Sequence, residues 1–264
     1  MKHLEQLLKR TLKEQAHIPD NYLASIKSLT NDCYKVIFGT GYNSDPGGSN
    51  EDINNTGNNL YLGATGYQLS IVSGDANDTL LGTGAQVLSL AGLDVNNDEI
   101  SELVFMDGIT PVLTANEYVR LNSVINTNYG GAGHGPVGTV NITGGGFNWC
   151  KLEPSQSNGL LGRYSIPRLW TFIGDVISFS GDNSTEYYAQ ICVKLPTTSL
   201  FEAHRQLVYR NTGDIRATPS STQGPADLVL KSTKLSGAGT EHISCYFSGY
   251  LILTSELEKF TEVL

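Results

Sequence analysis

The hydrophobic pattern of the chain changes character twice. Over residues 1–30 apolar positions recur at three- and four-residue steps, with Leu4, Leu7, Leu8 and Leu12 on one face and Lys9, Arg10, Lys13 and Glu14 elsewhere. That spacing predicts a short amphipathic helix, and Pro19 ends it or starts a second turn that carries Tyr22, Leu23, Ile26 and Leu29. A helix of this kind needs a surface for its leucines. Either its own body or a neighbouring subunit can supply one, and Leu4, Leu7, Leu8 and Leu12 are therefore the candidate partner-docking residues. Its polar face is not rich enough in Lys and Arg to favour a membrane. Residues 31–59 follow, and from Gly39 onward they are dominated by Gly, Asn, Asp and Ser. Those are turn formers, so the segment is expected to be a polar loop or linker.

From Leu60 the pattern turns to strands. Residues 67–72 and 85–90 alternate apolar and polar side chains, and further extended runs follow at 102–106, 117–124 and 138–142, with turn signals between them. Asp107-Gly108 lies between two extended runs and reads as a hairpin. A glycine cluster, Gly144-Gly145-Gly146, opens a transition through Pro154 and Asn158. Strand patterns then resume at 163–166, 170–180, 186–194, 203–210, 226–231 and 241–254. The expected fold is mainly β: a helical arm (1–30), a linker (31–59), and two β-sandwich or jelly-roll-like modules over 60–150 and 160–264. A single interleaved domain is the alternative.

Composition narrows the function more than the fold. Glycine accounts for 29 of 264 residues, about 11% against an ordinary share of roughly 7%. Charged residues make up 16%, below the roughly 25% of a typical soluble chain. The net charge of −9 gives no basic footprint, so nucleic acid is not an expected partner. The N-terminus lacks the apolar run of a signal peptide. Four cysteines, Cys33, Cys150, Cys192 and Cys245, form no C-x-x-C pair and read as small buried hydrophobes.

A resemblance enters through the run Gly74-Asp75-Ala76-Asn77-Asp78-Thr79, then Gly82-Thr83-Gly84-Ala85, Gly92-Leu93-Asp94, Glu102, Asp107-Gly108, Thr110-Pro111-Val112 and Arg120-Leu121-Asn122. It resembles a module of tailed-phage virion proteins, many from marine phages. These share the order GTGA, GLD, E, G-x-x-PV and R-x-N, then a Gly-rich turn and G-x-(I/V)-x-I. Here the last two elements are 130–135 and 138–142, so the likeness covers roughly residues 60–143. The second half, from Tyr164-Ser165-Ile166-Pro167 to Ser248-Gly249-Tyr250-Leu251-Ile252, is similar to the module that follows in such proteins. The usual Gly-Lys after the proline is replaced by Arg168-Leu169-Trp170. The resemblance implies a structural, non-enzymatic particle component.

Candidate chemistry is thin. Asp94-x-Asn96-x-Asp98 imitates the start of a calcium loop, but Glu99 stands where glycine is required and Phe105 where a bidentate Glu belongs. The run from Gly130 to Gly135, which contains His134, precedes a proline and a strand rather than a helix, so it is no phosphate cradle. Five histidines show no metal-ligand spacing, and no G-x-S-x-G elbow is present. Glu51-Asp52 and Asp98-Glu99 sit in turn-like segments and read as solvated carboxylates.

No catalytic residue, cofactor or metal is expected. The chain reads as a virion structural protein, in head decoration, cement, fibre base, tail or baseplate, that meets other virion proteins after assembly in the host cytoplasm. Self-association is also expected, as a trimer by analogy with particle proteins. The alternative is a receptor- or carbohydrate-binding module that uses exposed tyrosines against a host-surface glycan.

Overall fold

The structure is a computed structural model. It describes residues 34–44, 46, 51–56, 64–131, 133–181, 185–195, 202–210, 212–216, 221–236 and 242–255. The helical arm expected over 1–30, with Leu4, Leu7, Leu8 and Leu12, lies outside the described residues.

The strands in chain order are β1 (Tyr34–Asn43), β2 (Glu51–Asp52), β3 (Tyr67–Ser73), β4 (Ala85–Leu93), β5 (Glu99–Phe105), β6 (Val112–Tyr118), β7 (Arg120–Tyr129), β8 (Val140–Gly144) and β9 (Phe147–Leu152). They continue with β10 (Arg163–Ile166), β11 (Trp170–Gly181), β12 (Glu186–Lys194), β13 (Glu202–Arg210), β14 (Thr212–Arg216), β15 (Ser221–Gln223), β16 (Ala226–Ser236) and β17 (Ile243–Leu253). The mainly-β expectation holds, and two sandwiches form.

The first sandwich stacks the sheet β6-β3-β8-β9 on the sheet β5-β4-β7. Its core gathers Leu69, Ile71, Leu88, Leu90, Val104, Leu121, Ile142 and Trp149, and it extends to Leu161. In the second sandwich the sheet orders are β1-β17-β11-β14 and β10-β16-β12-β13, with β15 beside β11 and β2 beside β16. Counting only its own eight main strands, the orders are 1-8-3-6 and 2-7-4-5. Those are the two interleaved sheets of a jelly roll. Alternation builds the face between them: along β17, Ile243, Cys245, Phe247 and Leu251 point into the core, and Ser244, Tyr246, Ser248 and Tyr250 point away.

Three expectations are corrected. Within the linker expected over 31–59, the described residues 34–43 and 51–53 are part of the fold, because β1 pairs with β17 over ten residues and Ile37 and Ile53 belong to the jelly-roll core. The second module is therefore not the continuous span 160–264, and the first sandwich is an insertion within it. Lys231 and Ser232 of β16 pair with β2, and Ala226 to Val229 pair with β10 along the same edge. Between them the Ile53 N–H donates to the Leu230 carbonyl, and the Leu230 N–H donates to the Gly162 carbonyl, both at 2.9 Å. One strand of the jelly roll is thus cut between Ile53 and Gly162, and the other sandwich grows from the cut. The cut demands glycine: Gly162 is left-handed (φ +58°), and a Cβ there would lie 1.9 Å from the Ile53 carbonyl oxygen.

The third correction concerns turns. Asp107-Gly108 joins no hairpin, because β5 pairs with β4 and β6 pairs with β3, so the chain changes sheet there. The hairpin signal lay instead at Gly145 and Gly146 (φ +59° and +81°). They form the two-residue loop between β8 and β9, where two consecutive positive φ angles match the twist of the strands.

Candidate interaction surface

Two polar systems decide how the inserted sandwich is held and what it presents. The first is the junction with the jelly roll. Arg120 grips Asp227 with two parallel bonds, Nε to Oδ1 at 2.8 Å and Nη2 to Oδ2 at 3.0 Å, a fork that fixes orientation as well as distance. Ser165 Oγ donates to Asp227 Oδ1 at 2.6 Å. Asn122 and Ser165 exchange a reciprocal pair of bonds at 2.8 Å each. Lys35 of β1 reaches Glu99 at 2.5 Å and lies 4.4 Å from the centre of the Trp170 ring. The Arg-x-Asn and Tyr-Ser-Ile-Pro motifs singled out in the sequence are therefore two halves of one joint.

The calcium-like run belongs to the same joint. Asp94 closes its own turn by accepting the N–H groups of Asn96 and Asp98. Burial alone would raise its carboxyl, but these bonds and the Asn96 side-chain amide hold it below the ordinary value. Asp98 accepts Arg168 Nε at 2.7 Å, and the Arg168 N–H donates to the Asn97 carbonyl. The loop docks on the jelly roll through Arg168. Glu51-Asp52 is corrected as well. Asp52 is buried and pairs with buried Lys231 at 2.7 Å, so it is a core ion pair and not a solvated turn carboxylate.

The second system lies at the far end of the inserted sandwich. Asp78 is wholly buried. Its carboxylate accepts four bonds: Ser73 Oγ at 2.5 Å, the Ala85 and Val137 N–H groups at 2.8 Å, and the Gly138 N–H at 2.9 Å. Its own carbonyl accepts the Gly108 N–H. One residue, through its carboxylate and its backbone carbonyl, thereby ties together the loops 74–84, 106–111 and 130–138. Nine-residue β4 separates them from the junction, running from Ala85 at the knot to Leu93 beside Arg120, a distance of about 27 Å at strand rise.

The knotted loops present apolar side chains to solvent. Leu80 and Ile109 are more than half exposed, Phe105 is close by, and Leu81 is 92% exposed. Leu81 is also left-handed (φ 68°) in a turn closed by the Gly82 N–H on the Thr79 carbonyl. Glycine or asparagine is usual at such a position. Asn97 occupies a comparable position (φ 61°) at the junction turn. A bulky residue held in this conformation and fully exposed has neither packing nor backbone preference to recommend it, which marks the apex as a candidate for contact. Sequence reasoning passed over Asp78 and Leu81. The legible signal was two leucines inside a run of turn formers with no strand alternation around them.

The remaining sequence candidates fall elsewhere. His134 bonds Tyr129 at 2.7 Å in the glycine loop and joins no ligand set. Among the described residues no group of His, Cys, Asp or Glu could hold a metal, and no helix is long and apolar enough to cross a membrane. Cys150, Cys192 and Cys245 are buried and unpaired. Burial pushes Cys150 up to about 12 and Cys192 to about 11, so neither is a nucleophile at neutral pH.

No protein-family model and no curated protein matches the chain. Among solved structures it is similar to that of infectious bursal disease virus, Gt strain, with 10% identity over 83% of this chain and 72% of that one and a TM-score of 0.20. A mutant VP2 protein of the same virus gives 11% identity over 93% and 86%, with a TM-score of 0.13. Superpositions this loose carry no argument about the chain.

Proposed function

We propose that this chain is a non-enzymatic structural protein of a bacteriophage virion, whose inserted sandwich reaches a neighbouring subunit through its apex. The observation that carries the reading is the apex itself. A strained, exposed Leu81 stands beside Leu80 and Ile109 on loops made rigid by Asp78. Rigid loops lose little entropy on docking, and exposed aliphatic side chains supply the burial. The resemblance to tailed-phage virion proteins points the same way, and jelly rolls are common among viral capsid domains, which is analogy at the level of fold. The arm with Leu4, Leu7, Leu8 and Leu12 would give a second contact, and a closed homo-oligomer is the expected arrangement.

The test is localisation in the particle. Antibodies against the purified protein should label intact particles, and a map of the particle should contain a two-lobed density of 28.5 kDa with the smaller lobe against a neighbour. Particles that form and infect normally with the protein absent from them overturn the reading.

A further inference from the structure

The outer face of the jelly-roll sheet β1-β17-β11 carries a concavity of about 430 Å³, open to solvent. It lies on the jelly roll rather than on the inserted apex. Strand register builds it. Thr40 and Ser178 flank Tyr246, and Tyr42 and Ser180 flank Ser244 one step along. Four hydroxyl side chains therefore alternate with two tyrosine rings across three strands. Tyr246 is 43% exposed, and the Tyr42 ring is braced by His242 at 5.9 Å between centroids.

Among the described residues the lining contains no Asp, Glu, Lys, Arg or His. An anionic ligand would lose hydration there and gain no countercharge, since the register sets Asp214 of β14 beside Ser178. A purely aliphatic ligand would cover hydroxyls without satisfying them. What fits is a ligand that is uncharged, rich in hydroxyls that both donate and accept, and furnished with a C–H face for an aromatic ring. An open groove also suits a chain of such units better than a single enclosed molecule. We propose that this groove binds a neutral oligosaccharide, with Tyr246 as the stacking platform and Ser178 and Ser244 bonding the sugar hydroxyls. This stands independently of the apex and of the virion reading.

The test uses the full chain and saturation-transfer NMR with maltohexaose, cellohexaose, chitohexaose and mannohexaose as probes, and with an oligogalacturonate as the charged control. At least one neutral probe should show transfer to its ring protons, and the charged probe should show none. Tyr246→Ala should weaken binding about tenfold or more with the melting temperature unchanged. Ser178→Val, which suits a strand and removes only the hydroxyl chemistry, should weaken it too and guards against a misfolded alanine variant. The proposal is overturned if no neutral probe binds at millimolar concentration, if the charged probe binds equally well, or if binding survives both substitutions.

Discussion

The inserted sandwich and the jelly roll each bury a carboxylate, and they satisfy it in opposite ways. Asp78 in the insertion has four donors and none is a cation: three are backbone N–H groups and one is a serine hydroxyl. Asp52 in the jelly roll faces the ammonium of Lys231 at 2.7 Å, both side chains less than a tenth exposed. Close by, burial lowers the Arg163 guanidinium while the charge of Asp52 opposes that shift. The difference separates a knot from a pair. A knot made mostly of backbone donors holds three loops, with Ser73 as its side-chain donor. A pair stands beside the cut in the strand and consists of two replaceable side chains.

The largest expected effect breaks the knot. Asp78→Ala strands three backbone N–H groups, one buried and two partly buried, and costs about 3 kcal/mol, which lowers the melting temperature by roughly 10 °C. Asp78→Asn does little better, because its amide can present only one acceptor oxygen where the carboxylate presents two. Hydrogen exchange should show protection lost at Ala85, Val137 and Gly138 together. Loss at one loop alone would mean that Asp78 is not their common anchor.

The ion pair behaves differently under the same treatment. Lys231→Met leaves Asp52 charged and buried and costs about 3–5 kcal/mol, whereas a double variant that also carries Asp52→Leu regains most of that loss. A double-mutant cycle by denaturant unfolding reads the coupling directly. A double variant no better than the single would show that Asp52 is held by its other neighbours, and the contrast with Asp78 would then narrow.

Much of the body was legible in the sequence, and the failures have a common physical cause. The ranges read for β10 and β12 coincide with the strands, because a short run of β-formers bounded by breakers such as Gly162 and Pro167 is a local signal. β1 was missed because Gly39 and Gly41 look like turn residues, yet a Cβ on Gly39 would lie 2.3 Å from the Phe247 ring and one on Gly41 would lie 2.1 Å from the Ile53 carbonyl. Close packing and tight turning both select glycine, and composition does not separate them. The strand expected over 117–124 joins the end of β6 to the start of β7, since the corner at Val119 is apolar and buried. The insertion itself was invisible, because it is defined by Ile53 meeting Gly162 across Leu230 and periodicity carries no record of pairs so distant. The apex was hidden for a related reason: Asp78 reads as one more turn former until its four partners are known.

A smaller effect tests whether the two sandwiches unfold as one. Arg120→Ala removes the fork on Asp227, a pair about one-fifth exposed, and costs about 1.5–3 kcal/mol. Asn122–Ser165 and Arg168–Asp98 remain to hold the joint. Calorimetry of the variant should resolve two transitions where the parent gives one, with the insertion and the jelly roll melting separately. A single transition at reduced temperature would mean that the cut strand alone couples them.

The smallest effect on stability is the one that separates structure from function at the apex. Leu81 has φ 68° and is almost fully exposed, so its side chain contributes little burial while its backbone carries the left-handed cost of about 1–2 kcal/mol for an ordinary residue. Asparagine tolerates that conformation, as Asn97 does at the junction turn. Leu81→Asn should therefore raise stability, by about 0.5–1 kcal/mol once the change in the unfolded chain is included. Residues retained for folding do not behave this way, because replacing them destabilises. If the apex is a contact, the same variant should join particles less well, since it exchanges an exposed aliphatic group for an amide where burial is needed. A gain in melting temperature combined with poorer incorporation marks Leu81 as a residue kept for its partner at the expense of its own fold. A variant that is both more stable and fully incorporated would move the contact away from the apex and leave the N-terminal arm to make it.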